Sequence, residues 1–116
     1  MLIRVDMASG VPLYEQVAAS VRADIIAGRL APGDRLPSAR EVAETLEINL
    51  HTVLHAYQQL RAEGLIDLRR GRGAVVSASV GPLVDLTKDL HDLVSRAAEL
   101  GVAPATLAAL VKEITV

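Results

Sequence analysis

The chain has 116 residues, a formal net charge of -2 and no cysteine, and only 2% of its residues are aromatic. This length predicts one small domain with a short appendage. Without cysteines, disulfides and thiolate metal sites are excluded, and the scarcity of aromatic rings argues against binding of single strands by base stacking. No secretory leader or apolar run of the about 20 residues that cross a bilayer is evident, which predicts a cytoplasmic protein without membrane contact.

The first predicted helix is amphipathic. Its apolar face is formed by residues at helical spacing, namely Leu13, Val17, Val21 and Ile25. Gly28 can adopt the left-handed conformation that commonly ends a helix. The segment Ala31-Pro32-Gly33-Asp34 then has the composition of a turn.

Two short helices follow, and each has its own start signal. Ser38 and Glu41 match a capping box, in which the serine oxygen accepts a hydrogen bond from a free backbone N–H of the first turn and the glutamate accepts one from the serine N–H. Asn49 can cap the next helix in the same way. The apolar residues after it lie at helical spacing, namely Val53, Ala56, Tyr57 and Leu60. A short helix joined by a tight turn to a longer one predicts a helix-turn-helix, an arrangement that reads DNA.

A β-hairpin is predicted after this helix pair. Gly64 ends the second helix, and strands are predicted over residues 65–69 and 74–78. Between them, Arg70-Gly71-Arg72-Gly73 forms a positively charged tip whose glycines allow a tight turn. The hairpin completes a winged helix, and we call residues 65–78 the wing.

The last part of the chain predicts two further helices. Apolar residues recur at spacings of three and four in the first of them, as in a heptad seam, namely Leu83, Leu86, Leu90, Leu93, Val94, Ala97 and Leu100. Gly101 ends this helix, and Pro104 begins a second one with apolar Leu107, Leu110, Val111 and Ile114. We expect residues 82–116 to form a dimerisation tail on a winged helix of residues 1–81. In the alternative, the second helix folds back on the first within one chain.

Several segments share the pattern of one protein family. They are Pro12 to Val17 (PLYEQV), Gly28 to Ser38 (GRLAPGDRLPS), Thr52-Val53 with Ala56-Tyr57 and Leu60, Glu63-Gly64-Leu65, and Arg70 to Gly73. Over residues 11–78 the chain resembles the DNA-binding domain of GntR-family bacterial transcription regulators. The resemblance implies a mainly α fold with a small β-hairpin, a winged helix-turn-helix. The two-helix tail is similar to that of the YtrA-type subfamily, in which the tail dimerises the protein.

The candidate DNA contacts outside the second helix lie on the first helix of the pair and on the wing. Before residue 82 the chain holds nine Lys or Arg and nine Asp or Glu, so binding requires a local concentration of positive charge. In the family pattern the arginine matching Arg40, or its neighbour, contacts the operator; the alternative is a solvated arginine. Ser38 is mainly a cap, although a helix N-terminus can also hold a phosphate. Arg70, Arg72 and Gly73 are the wing candidates, and Arg72 suits a narrow minor groove, unless it serves solubility alone.

The second helix offers the candidate base contacts, namely Asn49, Leu50, His51, Thr52 and His55. Asn49 can form a two-bond pair with adenine, His51 can form one bond with a purine, and Leu50 can contact only an apolar group such as a thymine methyl. Many family members have an arginine where Leu50 stands and another at or beside His55, so recognition of guanine is weakened.

The two histidines have a second possible interpretation. His51 and His55 stand four residues apart, the spacing of a two-histidine metal pair, but no acidic residue lies between them. We therefore expect them to face DNA, where a protonated imidazole adds positive charge toward phosphate. No metal and no cofactor is expected.

Together these features predict a homodimeric transcription regulator. It is predicted to be a repressor that binds a pseudo-palindromic operator in double-stranded DNA. Any small-molecule effector is expected at the dimer interface. The alternative is a winged-helix protein-protein interaction module that does not bind specific DNA. An enzyme is not expected, since the sequence shows no nucleophile with a base, no phosphate loop and no paired acids in a cleft.

Overall fold

The computed structural model describes residues 3–114, which divide into two compact units, one through Val84 and the other from Asp85. The first unit contains α1 (Leu13–Ile26), α2 (Ala39–Leu46), α3 (Leu50–Ala62), β1 (Ile66–Arg69), β2 (Gly73–Val76) and a 3-10 turn over Ala78–Val80. Helix α4 (Gly81–Glu99) begins there and continues into the second unit, which also contains α5 (Pro104–Glu113). The predicted fold class, mainly α with a small β-hairpin, is confirmed.

The core of the first unit is formed where α1 and α2 pack against α3. The predicted face of α1 is buried at Val17, Val21 and Ile25, and α3 buries Val53 and Leu60 against it. Burial of each such side chain contributes about 1.5 to 3 kcal/mol relative to exposure. This shared core fixes the position of α3, and the polar side of that helix is left at the surface.

Both predicted N-cap residues accept a backbone hydrogen bond, but within residues 3–114 the Glu41 carboxylate does not form the reciprocal bond to the Ser38 N–H that a full capping box has. The Ser38 hydroxyl accepts a hydrogen bond from the Glu41 N–H at 3.1 Å, and Asn49 Oδ1 accepts one from the His51 N–H at 2.7 Å. The turn between the two helices contains Glu47, which has a left-handed backbone (φ 56°) although it is not a glycine. A side chain in this conformation costs roughly 1 to 2 kcal/mol. The tight turn is therefore kept at some cost in stability.

The wing is attached to the segment that precedes α2. Strands β1 and β2 pair antiparallel from Ile66 opposite Val76 to Arg69 opposite Gly73. The predicted turn ends with the Asp34 N–H donating to the Ala31 carbonyl at 3.0 Å. The next residues run beside β2, with the Leu36 N–H donating to the carbonyl of Ala74 and the Val76 N–H donating to that of Asp34, at 2.9 and 2.8 Å. Residues 34–36 thus run beside β2 as a short third strand-like segment next to the two strands of the hairpin.

An ion pair joins α1 to the end of α3. Arg22 donates from Nε and Nη2 to the two carboxylate oxygens of Glu63 at 2.8 and 2.7 Å. These hydrogen bonds lower the pKa of the Glu63 carboxyl below its usual range. The pair holds the far end of α3 at the surface, where its contribution to stability is small.

Candidate nucleic-acid interface

The N-terminus of α2, one side of α3 and the wing meet at a cleft of about 380 Å³. Its lining consists of Ser38, Ala39, Leu54, Tyr57, Leu68, Arg69, Arg70, Gly73 and Ala74. Three of the predicted DNA contacts, Ser38, Arg70 and Gly73, are thereby brought to one place. A helix N-terminus, which attracts anions, lies beside a cationic hairpin.

The predicted arginine contacts are available for an external anion. Arg40, Arg70 and Arg72 are all exposed. Within residues 3–114, the guanidinium groups of these three arginines form no ion pair and no hydrogen bond. Arg40 follows Ala39, and Arg72 precedes Gly73, so both adjoin residues of the cleft lining.

Three other arginines of the first unit already have acidic partners. Arg29 donates to Asp24 at 2.7 Å, and Arg22 pairs with Glu63. Arg69 lies 3.7 Å from Asp67, a loose pair on the same strand. Positive charge is thus neutralised at these three positions, whereas Arg40 and the arginines of the wing tip, Arg70 and Arg72, remain unpaired beside the cleft.

A buried hydrogen bond positions the start of α2. The Tyr57 hydroxyl donates to the Pro37 carbonyl oxygen at 2.6 Å, and the Tyr57 side chain is buried. Burial, and secondarily Glu41, raises the pKa of the phenol well above its usual range, so the hydroxyl remains a donor at neutral pH. The bond fixes Ser38 and Arg40 relative to α3. Nothing in the local sequence indicates this partner, which lies twenty residues away.

The first turn of α3 differs in detail from the predicted contact set. Leu50 is half-buried and packs against the core, so contact with a thymine methyl is not its main environment. Because Asn49 Oδ1 caps the helix, the amide nitrogen is what Asn49 can offer to a base, and the predicted two-bond pair with adenine is not available in this arrangement. His51 is exposed and Thr52 is half-buried.

His55 has a ring partner that the sequence did not suggest. Its imidazole stacks on the ring of Tyr14, with centroids 3.8 Å apart and planes inclined by 14°. The Tyr14 hydroxyl donates to Glu15 at 3.2 Å, which raises the pKa of that phenol. The stack covers one face of the imidazole and links α1 to the exposed side of α3. No group of three or more potential ligands among His, Cys, Asp and Glu is found in residues 3–114 that could hold a metal ion.

The wing tip has a partner outside the hairpin. Arg35 Nε donates to the Arg72 carbonyl oxygen at 2.9 Å, and Arg35 Nη2 lies 3.5 Å from the Gly71 carbonyl oxygen. Arg35 also forms an isolated antiparallel bridge with Val75. Sequence reasoning did not single out Arg35, because a charged residue beside a predicted turn gives no signal of a partner more than thirty residues away.

The apolar seam predicted on α4 is exposed to solvent. Leu86, Leu90 and Leu100 are 58%, 54% and 73% exposed, and Leu83, Leu93 and Val94 are also exposed. Ala97 differs, since it is 7% exposed and already covered within the chain. The seam pattern predicted Ala97 at the dimer interface. Because its side chain is already covered within the chain, direct contact of Ala97 with a partner chain is less favoured.

Helix α5 leaves much of its apolar surface open. It begins at Pro104, as predicted, after Gly101 has adopted a left-handed backbone. Leu107 is half-buried, whereas Leu110, Val111 and Ile114 are exposed. These three side chains are therefore not covered within the chain, and the alternative prediction of a second helix folded back on the first stays a prediction. None of the helices within residues 3–114 combines the length and apolarity needed to cross a membrane.

Comparison with known proteins identifies the family. Residues 13–76 match the gntR family of bacterial regulatory proteins. The chain is 34% identical over 120 residues to the HTH-type transcriptional repressor YtrA of Bacillus subtilis (strain 168), a match that covers 98% of this chain and 92% of that protein. It is similar to the structure of YtrA from Sulfolobus acidocaldarius, a GntR-family transcription factor, with a TM-score of 0.64 and 36% identity over 85% of this chain and 99% of that one.

A third similarity concerns a protein solved with DNA. The DNA-binding domain of AraR in complex with operator ORX1 has a TM-score of 0.57 and 25% identity, covering 64% of this chain and 92% of that chain. These relatives are regulators and not enzymes, and they favour the DNA-binding interpretation over the protein-protein interaction module. The chain therefore belongs to the gntR family of bacterial regulatory proteins, and it is a DNA-binding transcription regulator.

Proposed function

We propose that the protein acts in the cytoplasm as a homodimeric repressor, with each winged helix of residues 1–81 bound to one half of a pseudo-palindromic operator. The observation that carries this proposal is the set of unpaired guanidinium groups of Arg40, Arg70 and Arg72 at and beside the cleft between α2, α3 and the wing. A duplex presents phosphates at the spacing that such a convergent cationic face can contact.

Each element has a distinct role in this proposal. Helix α3 enters the major groove, where His51, His55 and the amide nitrogen of Asn49 meet base edges. Ser38 and Arg40 contact the phosphate backbone at the N-terminus of α2. The wing places Arg72 in the adjacent minor groove, with Arg70 at a phosphate and Gly73 allowing close approach of the backbone. Leu50 and Thr52 support this surface chiefly by packing in the first turn of α3.

Dimerisation is assigned to residues 82–116. The exposed side chains of Leu86, Leu90, Leu93 and Leu100 support it, because an identical stripe on a second chain removes this surface from water. Helix α5 extends the apolar surface through Leu110, Val111 and Ile114. In this proposal a small-molecule effector binds at the same interface. Repression is proposed by likeness to the Bacillus subtilis repressor.

Selection of binding sites from a random duplex library tests the proposal directly. The full chain should enrich inverted repeats, and sedimentation should show two chains on each selected duplex. An Arg40→Ala, Arg72→Ala variant serves as the matched control and should enrich no sequence. Failure of the parent chain to enrich any sequence contradicts operator binding. Enrichment of unsymmetrical sites bound by one chain contradicts the dimeric arrangement alone.

A further inference from the structure

We infer that Arg35 is a positioning residue for DNA binding, holding the wing tip where the Arg72 side chain can enter the minor groove. The inference rests on the proposed function, since it concerns how the wing contact is prepared. Arg35 lies before α2, and its guanidinium reaches backbone atoms of the tip rather than an acidic side chain. It therefore acts on the wing through the main chain.

The contacts of Arg35 fall on the two residues where the tip turns. Its Nε donates to the Arg72 carbonyl at 2.9 Å, and its Nη2 lies 3.5 Å from the Gly71 carbonyl. The backbone of Arg35 is meanwhile fixed against β2 by the bridge to Val75. One side chain thus joins the tip to the body of the first unit, and both ends of the connection are held.

The tip has little else to define its conformation. Residues 70–73 are all exposed, so no packing holds them. Gly71 and Gly73 have positive φ angles of 79° and 71°, and without a Cβ they restrict the backbone weakly. Within the hairpin, the bond from the Arg72 N–H to the Arg69 carbonyl, at 3.1 Å, closes the turn. Loss of Arg35 should therefore release Arg72 while β1, β2 and the helices stay folded.

A thermodynamic cycle separates positioning from direct contact with DNA. We would measure the affinity of Arg35→Gln, Arg72→Ala and the double variant for the duplex selected by the parent chain, by fluorescence anisotropy at one salt concentration. Arg35→Gln should weaken binding about three- to tenfold, the range that loss of one or two net hydrogen bonds gives. In the Arg72→Ala background the same change should have less than about a twofold effect, because coupled residues are not additive. Equal effects in both backgrounds would mean that Arg35 contacts DNA itself, and would overturn the inference.

Two controls address charge and folding. Arg29→Gln removes the same charge from a residue paired with Asp24 and should leave affinity nearly unchanged. Arg35→Lys keeps the charge but not the planar fork that reaches two carbonyls. Full recovery of affinity by lysine would show that charge alone matters, and would also overturn the inference.

Hydrogen exchange gives a readout that does not depend on DNA. In Arg35→Gln, amides of residues 70–74 should exchange severalfold faster, whereas those in the buried half of α3 should not change. Unchanged exchange at the tip contradicts the anchoring role. If Arg72→Ala binds the duplex as the parent does, the wing contact of the proposed function fails instead, and exchange then decides on its own whether Arg35 holds the tip.

Discussion

At the scale of single residues, the arginines differ in what their guanidinium groups contact. Arg22 and Arg29 are satisfied by carboxylates, and Arg35 is satisfied by main-chain carbonyls. Arg40 and Arg72 have no such partner within residues 3–114. An arginine that is unpaired on a convergent surface contributes its full charge to an incoming phosphate, whereas a paired one must first lose its partner.

Arg40→Ala and Arg72→Ala should each weaken operator binding by roughly 1 to 3 kcal/mol. Both side chains are exposed and unpaired, so thermal unfolding should be nearly unchanged. Anisotropy titrations and calorimetry measure the two effects separately. Arg29→Ala is the control for loss of charge, and parent-like affinity of both variants contradicts the assigned face.

Tyr57→Phe should lower the free energy of unfolding by about 1 to 2 kcal/mol, because it removes a buried donor and leaves the Pro37 carbonyl without it. The ring itself continues to fill the core. Urea denaturation monitored by circular dichroism measures the change, and Tyr14→Phe, at a hydroxyl on the surface, is the control. A midpoint equal to that of the parent would show that the bond to Pro37 contributes nothing.

The Arg22 and Glu63 pair should give a pH-dependent contribution below about 1 kcal/mol, since it is partly exposed. The pKa of Glu63 is lowered in the folded state, so this contribution is present above the unfolded value of about 4.3 and is lost as the pH falls through the folded value. Glu63→Gln should therefore be less stable than the parent at pH 7, and the difference should shrink at pH 3. A difference of the same size at both pH values, or an equal pH dependence in Glu44→Gln, contradicts the ion pair as its source.

At the scale of elements, the helices, their caps and the strands of the wing were predicted from residues that are close together in the sequence. The caps at Ser38 and Asn49 formed because each depends on atoms within three residues of it. The glycine ends of the helices and the wing strands also follow from local chemistry. Helix α3 and its buried face were predicted by periodicity, since one side of a helix must pack.

The contacts that finish the candidate site were not predicted, because each joins residues far apart in the chain. The bond from Tyr57 to Pro37, the contact of Arg35 with the wing, and the stack of Tyr14 on His55 arise only after the helices have packed. Composition and spacing carry no information on such pairs. The same limit applies to the packing of half-buried Leu50 against the core, and its apolar contact with a base stays a prediction.

At the scale of elements, we predict that charged substitutions in the apolar seam of α4 prevent dimerisation. Leu90→Asp with Leu93→Asp places two charges in the exposed seam and should make the protein a monomer in sedimentation experiments, with much weaker operator binding. Lys88→Asp changes the net charge by the same amount on the opposite side of α4 and should leave a dimer. A parent chain that is a monomer, or a double variant that remains a dimer, contradicts the tail as the dimerisation element.

At the scale of the whole molecule, the formal net charge of -2 limits the electrostatic part of binding. If each protomer contributes the three unpaired arginines of its face, a dimer neutralises about six phosphates, and the slope of log K against log salt should be about -5. Titrations in a series of potassium chloride concentrations measure this slope. A slope near -10 would require cationic contacts outside the face that we describe.

Helix α3 separates the residues that maintain the fold from the exposed residues of its other side, where the proposed base contacts lie. Val53, Ala56, Tyr57 and Leu60 are buried, whereas His51, His55 and Gln58 are exposed on the other side. Substitutions of His51 and Gln58 therefore leave the buried core intact, whereas substitution of His55 also removes its stack on Tyr14. After gene duplication, two copies of such a regulator can therefore acquire different target sites while both keep the stability of the fold.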